Sequence, residues 1–343
     1  MRNLLIIGCG HWGRNYVRVF VGQLGAGRIT VVDPRQKALD AMRAAHPGLG
    51  AAASLEEALR AGGSSAAVVS TPAATHFDVV CRCLEAGLDV LAEKPLALTV
   101  AHAERMAALA RERRRILMVG HTFLYHPAVR RVRDLIRKGV CGDIYYMKST
   151  RTHLGLVRPD VNAVWDLAPH DAAIFQYFTG HEPLAASALG ACFLHKGKED
   201  VAFINLQYPG NVLANIHVSW ADSNKERTVE VVGSRARIVF DDLNALERVK
   251  IYEKGISSNV AGGDTYGEFL YALRDGDIYS PKIEPAEPLQ EVCREFLRCV
   301  RSRRPPLTGA ENGVAVVRTM CAIERSLAEG GRRIVVSAGK GEP

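Results

Sequence analysis

Short, continuously apolar runs alternate along the first third of the chain with longer stretches whose apolar residues recur every three or four positions. The runs LLIIG, ITVVD, AAVVS, LDVLAE and ILMVGH read as strands, and QKALDAMRAAH, HFDVVCRCLEAG and TVAHAERMAALARERR as helices between them. A strand without polar alternation is covered on both faces. Strands separated by helices pair in parallel, so the pattern predicts a doubly wound α/β domain ending near His121.

Beyond Tyr125 the pattern changes. A helix from about Pro127 to Lys138 leads through DIYYMKSTRTHL to a second helix, PHDAAIFQYF, which TGHEP stops. Strand-like runs follow in series, VAFINLQYPG, NVLANIHVSW, RTVEVVG, ARIVFDD and ERVKIYEKG, with YPGN and GSRA as hairpin turns, and predict an antiparallel sheet. In NVLANIHVSW, Val212, Ala214, Ile216, Val218 and Trp220 share one face, and Asn211, Asn215, His217 and Ser219 the other. One face packs on helices and the other meets solvent or a second subunit. Two helices, PLQEVCREFLRCVRS and NGVAVVRTMCAIERSLAEGG, precede a short RIVVS, and residues 255–285 read as irregular loop. The chain divides into a dinucleotide-binding domain, 1–121, and a substrate and oligomerisation domain, 122–343.

A length of 343 residues suits two domains of roughly 100 to 200 residues each. With 48% hydrophobic and 24% charged residues, the composition is that of a globular protein and excludes disorder and fibrous repeats. No run reaches the ~20 apolar residues of a membrane span, and MRNLLIIGCG breaks at glycine before a signal-peptide core develops, so a cytoplasmic protein without membrane contact is expected. The eight cysteines form neither a CxxC pair nor a framework and read as reduced, packed thiols, with no metal site expected. The formal charge of +7 gathers in RERRR, RRVRDLIRK and RSRR. No aromatic-interleaved groove accompanies these clusters, so they read as solvated helix faces and no nucleic-acid partner is expected.

Candidate chemistry begins at GCGHWG, which follows the first strand and opens a helix. Gly8 suits a tight turn, Gly10 lets a pyrophosphate approach the backbone, and Gly13 lets helix and strand pack closely. His11 and Trp12 lie among them at a helix N-terminus whose N–H groups attract phosphate. The second strand ends on Asp33, twenty residues beyond Gly13, where a carboxylate accepts from both ribose hydroxyls and repels a 2′-phosphate. NAD is therefore expected, with NADP kept open by Arg35. Ligands of parallel sheets lie beyond the carboxyl ends of the strands. That rule brings Ser70, Thr71, Pro72 and His76 of STPAATH, and Glu93 and Lys94 of AEKPLA, to the same cofactor. His121, with Tyr125 and His126, follows the last strand and is placed to border the nicotinamide.

Taken in order, GCGHWG, STPAATH, AEKPLA, VGHTFLYHPAV and WDLAPHD resemble the Gfo/Idh/MocA oxidoreductases over essentially the whole chain. The resemblance implies an N-terminal Rossmann domain and a C-terminal α/β domain on an open, mostly antiparallel sheet. It also implies NAD(H) or NADP(H), and oxidation or reduction of a secondary alcohol on a sugar, sugar nucleotide or cyclitol. Carried over by residue, it makes Lys94 of Glu93-Lys94-Pro95 the expected catalytic lysine, and Asp166 and His170 of DLAPH the expected catalytic pair. The chain departs from the family where Ala168 replaces a glycine and where Thr122 to Tyr125 lack an arginine, which leaves the substrate open.

These residue types suit hydride transfer, because an alcohol losing hydride from carbon must lose its hydroxyl proton to an acceptor. Pro169 is tolerated in a first helical turn, which would put His170 at a helix mouth, where the dipole keeps imidazole neutral and Asp166 orients it. A Lys94 ammonium would stabilise the developing alkoxide. Taken singly, Asp166 also reads as an N-cap, His170 as a first-turn polar group and Lys94 as a surface lysine. Tyr125, and His153, Arg158 and Asn162 in the loop feeding Asp166, are candidates for holding substrate, and Arg151 or Arg158 suits a diphosphate or carboxylate. The leading expectation is an NAD-dependent dehydrogenase of a UDP-linked sugar, acting at C3, as a homodimer or homotetramer. The alternatives are a dehydrogenase of inositol, a free monosaccharide or its phosphate, and, outside enzymes, a non-catalytic NAD-sensing regulator.

Overall fold

In chain order β1 (Asn3–Ile7), α1 (His11–Leu24), β2 (Ile29–Val32), α2 (Gln36–Ala45), β3 (Gly50–Ala52), α3 (Leu55–Ala61), β4 (Ser64–Val69), α4 (His76–Glu85), β5 (Asp89–Ala92), α5 (Val100–Glu112) and β6 (Leu117–Val119) alternate strand with helix. They are taken from a computed structural model that describes residues 3–155, 157–158, 160–194, 196–257 and 272–336. The six strands run parallel in the order β3-β2-β1-β4-β5-β6. Side chains on both faces are covered: Ile6, Val31, Val68, Val69 and Val90 are fully buried, as continuous apolar runs require. Five of these strands are predicted by the sequence. The sixth, β3, is a three-residue GAA without a β-branched side chain, and its strand conformation comes from pairing with Thr30 to Val32 rather than from propensity. Strand order reverses between β1 and β4, which opens a crevice beyond their carboxyl ends at Gly8 and Ser70.

The chain continues through α6 (Pro127–Arg137), β7 (Ile144–Leu154), α7 (Ala163–Thr179), β8 (Ala185–Ala191), β9 (Val201–Gln207), β10 (Leu213–Ser219), β11 (Ala221–Gly233), β12 (Arg237–Asp241) and β13 (Val249–Tyr252). A small pair, β14 (Gly255–Ser257) and β15 (Ala272–Arg274), and β16 (Ile278–Tyr279) precede α8 (Pro288–Ser302), α9 (Ala310–Ala328) and β17 (Ile334–Val335). Of the stretch 255–285 read as loop, residues 258–271 lie outside the described residues. Nine strands form one open sheet in the order β16-β13-β12-β11-β7-β10-β9-β8-β17. It is mostly antiparallel, as expected, and contains one parallel pair: β10 pairs with β7 in parallel over Leu213 to Ser219. A parallel partner needs a crossover, and α7 lies in the connection that supplies it. On β9 and β10, Ala202, Ile204, Leu206, Ala214, Ile216 and Val218 are buried on one face, while Phe203 and Leu213 are exposed on the other.

By packing, residues up to Tyr125 form one unit with Ala286–Cys321, and His126–Pro285 forms the other with Ala322–Val336. The division 1–121 and 122–343 follows chain order, whereas α8 packs on α1 inside the first unit. Among the described residues no helix is long and apolar enough to cross a membrane.

Candidate active site

The glycine turn shows why each of its glycines stands where it does. Gly8 adopts φ 93°, and a Cβ there would lie 2.8 Å from the Ser70 carbonyl oxygen. A Cβ on Gly13 would lie 1.8 Å from the Gly8 carbonyl oxygen, so only glycine lets α1 approach β1 this closely. Gly10 differs: it is the N-cap of α1, it has no side chain to answer the first-turn N–H groups, and a Cβ on it would meet nothing within 4 Å. Open space in front of oriented amides fits a dinucleotide pyrophosphate. Exposed His11 and Trp12 flank it, their rings edge to face at 5.8 Å. The Ser70 hydroxyl donates to the Gly8 and Ile7 carbonyls at 2.9 and 3.1 Å, which ties the end of β4 to the turn.

Asp33 is buried at the end of β2. Its carboxylate accepts from the Cys9 amide at 2.8 Å, from the Arg35 amide at 3.0 Å, and from Arg35 Nε and Nη2 at 2.8 and 2.9 Å. The Arg35 guanidinium, foremost, holds its pKa down at about 2.

Beyond β5, the buried Glu93 accepts from the Tyr16 hydroxyl at 2.7 Å and from the Lys94 amide at 3.0 Å. The Lys94–Pro95 peptide is cis, and the Lys94 side chain is half-buried. His76 is buried between two loops of the same unit. Its Nδ1 lies 2.8 Å from the Pro95 carbonyl and its Nε2 2.9 Å from the Thr71 carbonyl, so the ring spans the STPAATH and AEKPLA loops. Pro72 accepts from the Thr75 hydroxyl and amide within the same loop. Neither ring nitrogen of the buried His121 has a hydrogen-bond partner among the described residues. Burial, helped by the Lys94 charge, pushes its pKa down to about 3. Tyr125 is buried with its hydroxyl 3.1 Å from Thr308 Oγ1, inside the first unit. His126 caps α6 through the Ala128 amide.

In the second unit the predicted helix start moves. α7 begins at Ala163, capped by Asn162 Oδ1, which accepts from the Trp165 amide at 2.9 Å, so Pro169 stands inside the helix and His170 lies well past the first turn. The helix-mouth argument for a neutral imidazole therefore lapses, because the dipole acts within the terminal turn. Proline is accommodated there at the loss of one backbone donor, toward the Trp165 carbonyl. Asn162 caps the helix, and its Nδ2 donates to Glu199 at 2.8 Å. Asp166 and His170 are four residues apart on α7 and share a face. Asp166 accepts from Arg158 at 3.1 Å and from the Trp220 indole at 3.3 Å. Arg158 also bridges to Asp160 at 2.6 Å. Half-buried His153 belongs to this group: burial foremost and the Arg227 charge lower its pKa, while Asp166 raises it. The residue after His170, Asp171, is fully buried and holds Arg151 through two bonds of 2.9 Å. No motif in the sequence marks the polar roles of Tyr16 and Trp220, whose tips meet Glu93 and Asp166. Each is an aromatic with a polar tip at a position facing the core, and such a tip needs a buried partner.

Two family models match the chain. One, described as an oxidoreductase family with an NAD-binding Rossmann fold, covers residues 2–121, and one for a GFO/IDH/MocA C-terminal domain covers 129–239. A UDP-N-acetylglucosamine 3-dehydrogenase of Acidithiobacillus ferrooxidans is 26% identical over 74% of this chain and 75% of its own. A myo-inositol 2-dehydrogenase of Thermotoga maritima is 25% identical over 77% and 78%. The solved structure of GenD2 from gentamicin A biosynthesis, in complex with NAD, superposes with a TM-score of 0.80 at 25% identity, covering 98% of this chain and 96% of that one.

Proposed function

Because the chain belongs to the Gfo/Idh/MocA family of NAD-dependent oxidoreductases, we propose that it oxidises a secondary alcohol of a UDP-linked sugar, at C3, with Lys94 and His170 handling the hydroxyl proton. NAD, when bound at the glycine turn, supplies the hydride acceptor. The observation that carries the reading is the corner beyond β5, where Tyr16 fixes Glu93, Glu93 fixes the Lys94 amide, and His76 meets the Pro95 carbonyl. A lysine whose backbone is fixed in this way at a strand end suits stabilising an alkoxide. His170 then accepts the proton, with Asp166, one turn away on the same face, steadying the charge that forms.

The UDP-sugar rests on the similarity to the Acidithiobacillus enzyme and on the cations around His153, where Arg227, Lys225 and Arg151 all act on its ring. A cyclitol is the second reading, favoured by the pairing of Arg151, Arg158 and Arg227 with carboxylates, which leaves less charge for a diphosphate. We further propose a cytoplasmic homodimer or homotetramer. Purified protein incubated with NAD and, separately, UDP-N-acetylglucosamine, its uronate, UDP-glucose and myo-inositol, with the absorbance of NADH followed, separates the readings. A UDP-sugar giving NADH and a product two hydrogens lighter supports the first. Turnover of inositol alone moves the assignment to the second, and NAD binding without turnover of any compound points to a sensor.

A further inference from the structure

Asp171 follows His170 on α7 and lies in the interior, where Arg151 of β7 donates to it from Nε and Nη2, both bonds 2.9 Å long. Both side chains of the pair are buried. Taking two charges out of water is unfavourable, and an apolar pair of the same volume holds a core at least as well, so stability does not account for the ion pair. What it adds is direction. A guanidinium fork meets a carboxylate in one plane and at one distance.

α7 needs such a restraint. Ala163, Ala168, Ala172 and Ala173 lie on it fully buried. Apolar burial is non-directional, and side chains this short give a helix little to interlock with. Pro169 also removes one rung of the hydrogen-bond ladder immediately before His170. Consecutive residues of a helix point about 100° apart, so a carboxylate anchored at 171 fixes the direction taken by 170. The anchor itself is rooted in the sheet. β7 is an interior strand, and Arg151 stands in register between Arg227 of β11 and Val218 of β10. Just beyond β10, Trp220 donates its indole N–H to Asp166 at 3.3 Å. His170 is therefore bracketed along α7 by two carboxylates, each reached from the sheet.

We propose that Arg151 is a positioning residue: its grip on Asp171 fixes the rotation of α7, and with it the direction in which His170 and Asp166 meet the substrate. The proposal rests on the reading of His170 as proton acceptor and deepens it. The test compares wild type, Arg151→Lys and the double variant Arg151→Met with Asp171→Leu, which replaces the pair by apolar side chains of similar size. Each is prepared with isotope-labelled tryptophan, and among its three indole signals that of Trp220 is identified by its loss in Trp220→Phe. The double variant melts close to wild type and binds NADH equally, yet its Trp220 indole signal moves, because Asp166 turns with α7. On the sugar identified by the panel its kcat falls by about tenfold or more while KM changes by less than about threefold, the mark of a misdirected reacting group. Arg151→Lys, which keeps the charge and gives up the fork, falls between the two. A folded double variant that keeps either the wild-type indole signal or the wild-type kcat overturns the role given to Arg151. So does one that melts more than about 10 °C lower, since the pair would then be a stabilising contact. Wild type that turns over no sugar, while the indole signal still moves in the double variant, overturns the reading of His170 and leaves the clamp on α7 standing.

Discussion

A methyl group distinguishes two glycines of the same turn. On Gly13 it would collide with the Gly8 carbonyl oxygen at 1.8 Å, a backbone atom that cannot move aside. Gly13→Ala should therefore lower stability by about 1–3 kcal/mol, as overpacking does, and abolish NADH binding. On Gly10 the same methyl meets nothing within 4 Å, so Gly10→Ala should melt like wild type yet bind NADH more weakly, as thermal melts and fluorescence titration would show. Equal melting of the two variants would contradict the close approach of α1 to β1. His121 carries a second prediction. Its pKa is near 3 in the folded protein against an ordinary 6.5. Between those values the unfolded chain binds the extra proton, so stability rises with pH and falls by up to about 1.4 kcal/mol per unit as pH drops from roughly 6.5 towards 3. Urea unfolding across that range should show a smaller slope in His121→Gln, and an unchanged slope would mean that His121 is protonated in the folded state.

α7 illustrates what can and cannot be read from a linear sequence. Its polar landmarks, Asp166, Pro169 and His170, are legible in the sequence, but Pro169, a residue common at a helix's first position, points to a start nearly two turns beyond the real one at Ala163. The real cap is Asn162, whose side chain answers the Trp165 amide and also reaches Glu199. Asn162→Ala should cost about 1 kcal/mol or more by equilibrium unfolding, with Asn162→Asp recovering part of it; no loss would deny the cap. Strands with β-branched runs were equally legible, whereas β3 (GAA) and β8 (AASALGA) were not, since small side chains signal a strand only through the neighbours they pair with. The parallel pairing of β7 with β10 is a long-range fact that no local pattern announces. At the site, the residue types and strand ends were visible; the partners were not. Nothing in the spacing tells that Arg35 closes over Asp33 or that His76 spans two loops.

At the scale of the whole molecule, the open face of the nine-stranded sheet carries Tyr146, Leu189, Phe203 and Leu213, which are 47, 62, 53 and 52% exposed. Register places Tyr146 opposite Leu213, and Phe203 opposite both Leu189 and His217, so they share one surface. An apolar patch of this kind suits burial against a second copy. Sedimentation equilibrium should give a dimer or tetramer, and Phe203→Glu should shift it towards monomer; a monomeric wild type would remove the proposed assembly. The chemistry remains the central claim, and one measurement reaches it most directly: single-turnover hydride transfer from the sugar identified by the panel, compared among wild type, Lys94→Ala and His170→Ala. Both variants should still bind NADH and transfer hydride at least about a hundredfold more slowly, as loss of a proton acceptor or an alkoxide-stabilising charge requires. Hydride transfer at the wild-type rate in either variant would contradict the account.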